Sequence, residues 1–218
     1  RLPGRNVQEK ADKAQREIAS ILREQVGHDF SGYKEKTFLR RVQRRMLVAQ
    51  ISELPSYIEL LRRDPEERTF LFRDLLIGVT AFFRDVEAFA ALERMVVPKL
   101  FEGKGQSDTV RVWIPGCATG EEVYSIAILL REHMDTLPSP PKVQIFGTDI
   151  DDAALGVARL GRYGGSAVEG LSSARLSRFF LAEAGIYVIT RQIRDMCIFS
   201  PHSIVRDPPF GRIDLISC

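Results

Sequence analysis

The chain has 218 residues, 44% of them hydrophobic and 28% charged, with one Trp and three scattered Cys; these proportions exclude disordered, fibrous and disulfide-framework proteins. No stretch approaches the ~18 apolar residues that span a bilayer and no secretory signal opens the chain, so the expectation is a cytoplasmic protein without direct membrane insertion. The net charge of +2 is uneven: residues 1–50 carry twelve Lys/Arg against six Asp/Glu, and the remainder carry nineteen against twenty-three. Such a front suits an anionic partner, either nucleic acid or an acidic protein surface.

The first 78 residues carry helical patterns. A segment from Gln8 to Gln25 is followed by Lys34–Gln50, which holds no Gly or Pro. There Phe38, Leu39, Val42, Met46 and Ala49 share one sector about 100° wide, as a core-facing stripe does. Arg40, Arg41, Arg44 and Arg45 fall on the other side. They form either a solvated face or a docking face for carboxylates or phosphates. Further helices are expected over Pro55–Arg62 and Pro65–Ile77, the second with Asp64 as N-cap, Pro65 at the first position and Glu66 and Glu67 in the first turn.

After Gly78 the pattern changes to alternating strand and helix. Val110–Ile114 predicts a strand, Gly116–Gly120 a turn, Glu121–Met134 a helix, Val143–Thr148 a strand ending at Asp149, and the residues through Leu160 a helix. Met196–Phe199 and Ile213–Cys218 are later strand candidates. The order predicts the start of a doubly wound parallel sheet. The loop 116-GCATG-120 lies between a strand and a helix N-terminus, where backbone N–H groups and glycines allow close approach of a ligand. Thr119 and Glu122 also have capping-box spacing, so Glu122 either closes the helix or faces a ligand. Asp149 is either a turn residue or the acid that accepts ribose hydroxyls in a nucleotide-binding βαβ unit. Loop and acid together indicate an adenosine-containing cofactor. The missing G-x-G-x-x-G pattern disfavours a nicotinamide dinucleotide over S-adenosylmethionine. The tetrapeptide Asp207-Pro208-Pro209-Phe210 imitates a motif of base-amine methyltransferases, but it precedes a strand rather than following one, and is expected to be a turn.

At 79-VTAFFRD-85 the sequence resembles the linker motif of the chemotaxis receptor glutamate methyltransferases, the CheR family. The resemblance extends through 33-YKEKTFLRRVQRRM-46, 116-GCATGEEVYS-125, 148-TDID-151, 158-ARLGRY-163 and 198-IFSPHSI-204. The segment 198–218 is most similar to members fused to methylesterase and sensory domains, so additional signalling domains are an expectation. The resemblance implies a small all-α N-terminal domain followed by an α/β doubly wound, class I methyltransferase-like domain, truncated after the fourth strand. Its expected division is 1–78 for a helical receptor-docking domain, 79–90 for the linker and 91–218 for an incomplete Rossmann-like domain binding S-adenosylmethionine.

The same resemblance implies esterification of glutamate side chains on chemoreceptors, with contacts to the cofactor from Gly78, Thr80, Arg84, Glu122, Asp149, Ser203 and Ile204. Arg84 would lie near the reacting end, and the expected partners are acidic methylation helices rather than nucleic acid, docked by Arg40, Arg41, Arg44 and Arg45. A carboxylate attacks a sulfonium methyl without a general base, so a sparse set of catalytic side chains is expected. The alternative is a non-catalytic cofactor-binding sensor or scaffold module. Gly78 and Ser203 stand where the family usually has Asn. The family's later strands and any receptor-tethering insertion are expected to be missing, leaving the 218-residue chain inactive or nearly so.

Overall fold

In the computed structural model, which describes residues 3–26, 30, 32–76 and 80–218, the chain divides into two units, Arg1–Ile77 and Gly78–Cys218. The first is all helical: α1 (Pro3–Val26), α2 (Glu35–Val48), α3 (Leu54–Arg63) and α4 (Pro65–Leu75). The stripe on α2 is real, with Phe38, Val42 and Met46 buried and Leu39 and Ala49 packed beside them. They meet Ile18, Leu22, Tyr57, Leu61, Leu71 and Leu75 from the other three helices. Asp64 caps α4 as expected, its Oδ1 accepting from the N–H groups of Glu66 (2.8 Å) and Glu67 (3.3 Å).

Among the described residues two polar side chains are buried in this unit, Gln15, whose Nε2 donates to the Tyr33 carbonyl at 3.0 Å, and Glu67. Glu67 is buried and accepts two hydrogen bonds from Arg45, at 3.0 and 2.6 Å, and one from the Tyr57 hydroxyl at 2.7 Å. Burial and this bond push the Tyr57 phenol above its usual range, so it remains a donor.

The second unit begins with α5 (Val86–Ala91), a π-helical turn over Leu92–Val96 and α6 (Val97–Phe101). Pro98 has no N–H to offer its preceding turn, which accompanies the widening there. The body alternates β1 (Thr109–Pro115), α7 (Glu121–Met134), β2 (Lys142–Asp149) and α8 (Asp152–Leu160). Two further strands, β6 (Cys197–Pro201) and β7 (Leu215–Ile216), complete a parallel sheet of order β6-β2-β1-β7. The last strand has two residues where the sequence pattern predicted six. The strand order reverses at β1, with β2 on one side and β7 on the other, and such a switch point is where open α/β sheets bind ligands.

Helix α7 packs on one face of the sheet, burying Val123, Ile126, Ala127 and Leu130 against Val110, Val112, Ile114 and Ile145. On the other face the 202–214 segment crosses the strands. Phe210 stacks on Phe146 (5.0 Å) and packs edge-on against Trp113 (5.3 Å), so the tetrapeptide covers this face, while the hydrogen-bonded turn falls just before it, with the Arg206 and Asp207 N–H groups on the Ser203 carbonyl.

The expectation of no insertion is corrected. Between α8 and β6 the chain builds a second, antiparallel sheet of order β3-β5-β4, from β3 (Arg162–Gly164), β4 (Phe180–Glu183) and β5 (Ile186–Ile189). Helices α9 (Gly165–Val168) and α10 (Ser173–Phe179) precede β4, and α11 (Arg191–Arg194) leads back to β6. Ala184 and Gly185 join β4 to β5, both at positive φ (49° and 83°), the geometry a two-residue hairpin turn requires. No helix among the described residues is long and apolar enough to cross a membrane.

Candidate cofactor-binding site

The loop after β1 turns sharply because Gly116, Ala118 and Gly120 all take positive φ (69°, 46° and 93°). Only glycine fits at 120, where an added Cβ would lie 2.8 Å from the Ala158 Cβ. Three hydrogen bonds hold the loop: Cys117 N–H to the Thr148 carbonyl (3.0 Å), Gly120 N–H to the Cys117 carbonyl (2.9 Å), and Ala118 N–H to Asp149 Oδ2 (2.8 Å). Burial, with the negative charge of Asp149 nearby, pushes the Cys117 thiol up to about 12, so it stays neutral beneath the loop.

Asp149 ends β2 half-buried, its other oxygen accepting from Asp151 N–H at 2.9 Å. Each carboxylate oxygen retains a second lone pair for another donor. The backbone carbonyl of Asp149 takes His202 N–H (3.0 Å), which brings the segment after β6 to the same edge. There Ser203 N–H donates to Asp207 Oδ2 (2.7 Å), while Ile204 is exposed.

The capping box does not form. Thr119 Oγ1 donates to Glu121 Oε2 (2.6 Å), and Gly120, the N-cap residue of α7, leaves the helix without a side-chain cap. Glu122 instead reaches across to β7, its Oε1 accepting from Ser217 Oγ at 2.6 Å. Glu122 and Ser217 line a cleft of about 660 Å³ together with Arg84, Phe89, Leu92 and Cys218. Arg84 follows Phe83, which is held at φ 49° with its N–H on Ser125 Oγ (3.0 Å). Thr80 is half-buried in the coil before this turn, and Gly78 lies outside the described residues.

Sequence-selected residues thus separate into groups. Arg84 and Glu122 share the cleft; Asp149 lies under the adjoining loop, with Ser203 and Ile204 after the neighbouring strand. Ser217, Ser125 and Tyr163 gain contacts with the site that the sequence pattern did not assign. The four arginines belong to the helical unit and do not form one uniform face. Arg40 and Arg44 are exposed, Arg44 with Asp74 at 3.8 Å, and Arg41 is half-buried. Arg45 is a correction: only 14% of its side chain is exposed, because it forms the two-point pair with Glu67 beneath Phe70.

A parallel sheet with a glycine turn, an acid at the next strand end and a cleft at the switch point defines an α/β domain for an adenosine-containing cofactor. The chain belongs to the CheR methyltransferase family: the family's S-adenosylmethionine-binding domain matches residues 78–218 and its all-alpha domain residues 14–76. It is 40% identical over 190 residues to an uncharacterized 104.1 kDa protein of Rhodobacter capsulatus, covering 87% of this chain and 20% of that protein. Over 199 residues it is 31% identical to a putative methyltransferase Cher3 of Pseudomonas putida, covering 88% of this chain and 70% of that one. Against a chemotaxis protein methyltransferase of Escherichia coli the identity is 26% over 196 residues, with 87% and 65% covered. The chain therefore spans a fifth of the first relative and about two thirds of the others.

Proposed function

We propose that the protein is an S-adenosylmethionine-dependent glutamate O-methyltransferase acting on cytoplasmic signalling helices of chemoreceptors. Family membership and relatives named as chemotaxis protein methyltransferases support this reading. The observation that carries it is the cleft at the switch point, lined by both Arg84 and Glu122 next to the glycine loop. The residues present suit the cofactor: Phe89 and Leu92 offer apolar surface, and Glu122 and Asp149 offer carboxylates to hydroxyl or amine donors.

The bound cofactor supplies a methyl group on a sulfonium centre. In the proposed mechanism Asp149 would hold the ribose while keeping the loop closed, and Glu122 would accept from a hydroxyl or amine donor of the cofactor in the cleft it shares with Arg84. Arg84 orients a carboxylate at the cleft, whether that of the cofactor or that of the incoming glutamate. The glutamate is already ionised at neutral pH, so no side chain has to remove a proton. Acceleration then comes from holding the two reactants in line and excluding water as opposite charges neutralise.

The same proposal assigns Arg40 and Arg44, flanked by Arg41, to docking of an acidic helix. A protein helix is favoured over nucleic acid because no aromatic side chains are interleaved with these arginines. Transfer from labelled S-adenosylmethionine to a receptor cytoplasmic fragment, measured with protein extended past Cys218, tests the function. Base-labile label on glutamate is the expected result; cofactor binding with no transfer would favour a sensor or scaffold module instead.

A further inference from the structure

We propose that the inserted segment between α8 and β6 keeps the cofactor site in shape through two positioning residues, Tyr163 on β3 and Arg175 on α10. The inference rests on the cofactor reading of the loop and cleft. Tyr163 is 4% exposed, and its hydroxyl donates to the Thr119 carbonyl at 2.7 Å. That carbonyl sits in the middle of the glycine loop, between the left-handed residues Ala118 and Gly120. A Cβ at position 120 would also come within 3.3 Å of the same hydroxyl, so loop and tyrosine are fitted to one another. Burial raises the Tyr163 phenol far above its usual range, and the group remains a donor wherever the fold persists. Its ring packs edge-on against Phe82 (5.0 Å), which also meets Phe180 of β4 (5.4 Å).

Arg175 acts on the other half of the site. Its guanidinium makes a two-point pair with Glu132 of α7 (Nε 3.0 Å, Nη2 2.7 Å) and reaches Glu93 in the π-helical turn (3.2 Å). The same group lies 4.6 Å from the centre of the Phe83 ring. Phe83 occupies a backbone conformation that side-chain-bearing residues avoid, and it directly precedes Arg84 in the cleft. Its N–H is tied to Ser125 Oγ, which in turn donates to the Glu121 carbonyl at 2.7 Å. The insertion thus braces the loop through Tyr163 and the arginine-bearing turn through Arg175, without either residue lining the cleft.

Two measurements on Tyr163→Phe, Arg175→Gln and Arg175→Lys test this. The first is calorimetric affinity for S-adenosylhomocysteine, expected to weaken about two- to tenfold in Tyr163→Phe and Arg175→Gln, as loss of one positioning bond predicts. Arg175→Lys keeps the charge and should fall between Arg175→Gln and the parent. The second is amide hydrogen exchange without ligand. Tyr163→Phe should accelerate exchange at residues 118–122, and Arg175→Gln at Phe83, while Val110–Ile114 keep their rates. Unchanged local exchange, or a uniform rise across β1 as well, would overturn the proposal and leave both side chains as general packing. If the parent chain binds no S-adenosylhomocysteine, the cofactor reading falls, and the exchange pattern alone still decides for or against positioning.

Discussion

Replacing Asp149 by Asn probes a carboxylate that has a duty to the fold before any ligand arrives. Its two oxygens each accept a backbone N–H, from Ala118 at 2.8 Å and from Asp151 at 2.9 Å. An asparagine offers one acceptor oxygen and one NH₂, so either orientation leaves one of these amides facing a donor. Loss of one charge-assisted bond at a half-buried site costs about 1.5 kcal/mol, the low end of the usual range. For a chain of this size that corresponds to a fall in Tm of roughly 3–6 °C in the absence of ligand. If Asp149 also holds the ribose, affinity for S-adenosylhomocysteine should drop by about tenfold, a further ~1.4 kcal/mol. Thermal melts and titration calorimetry on the same preparation separate the two effects. An unchanged Tm would refute the loop-pinning role, and a lowered Tm with unchanged affinity would refute the ribose contact.

Charge reversal of Arg40 and Arg44 together should slow methylation of a receptor fragment and flatten its salt dependence, with cofactor affinity unchanged; full activity at low salt would place docking elsewhere. Arg45→Met should destabilise the helical unit by about 3 kcal/mol, because Glu67 is left buried with only Tyr57 as donor. In a denaturant series the double change with Glu67→Leu should cost less than Arg45→Met alone. Asp214 bonds Lys104 (2.6 Å) and the Arg111 N–H (2.8 Å); burial opposes its ionisation, but these bonds outweigh that and lower its pKa below the ordinary 3.8. The lowered value means a stabilisation present above about pH 4 and lost as pH falls through the native pKa, so the Tm difference between the parent and Asp214→Asn should shrink below pH 4.

The elements legible in the sequence are those set by local periodicity and capping. The α2 stripe, the Asp64-Pro65 start of α4, and the run from β1 through the glycine turn to Asp149 all declare themselves within a few residues. The inserted sheet does not. Its strands have three or four residues, too few for alternation to register, and its hairpin turns at Ala184-Gly185 rather than at Asn-Gly or Asp-Gly. The fate of Arg45 was hidden for another reason. Helical angles separate arginines from apolar residues on α2, but only the packing of α4 shows that Glu67 turns one of them inward. Likewise Glu122 and Thr119 fit the capping spacing, and the distant Ser217 takes Glu122 instead. The place of Asp149 at a strand end against the glycine loop was legible because strand, loop and acid are close in sequence. Tyr163 and Arg175 were not, since the loop and turn they hold lie 44 and more residues away.

The carboxyl edge of the parallel sheet should act as one cofactor site. Amide hydrogen exchange of the chain with and without S-adenosylhomocysteine tests it most directly. Residues 80–85, 116–122, 149–151 and 202–204 should be protected together, with little change in α1–α4. Protection absent from these segments under saturating ligand, or confined to another surface, would contradict it.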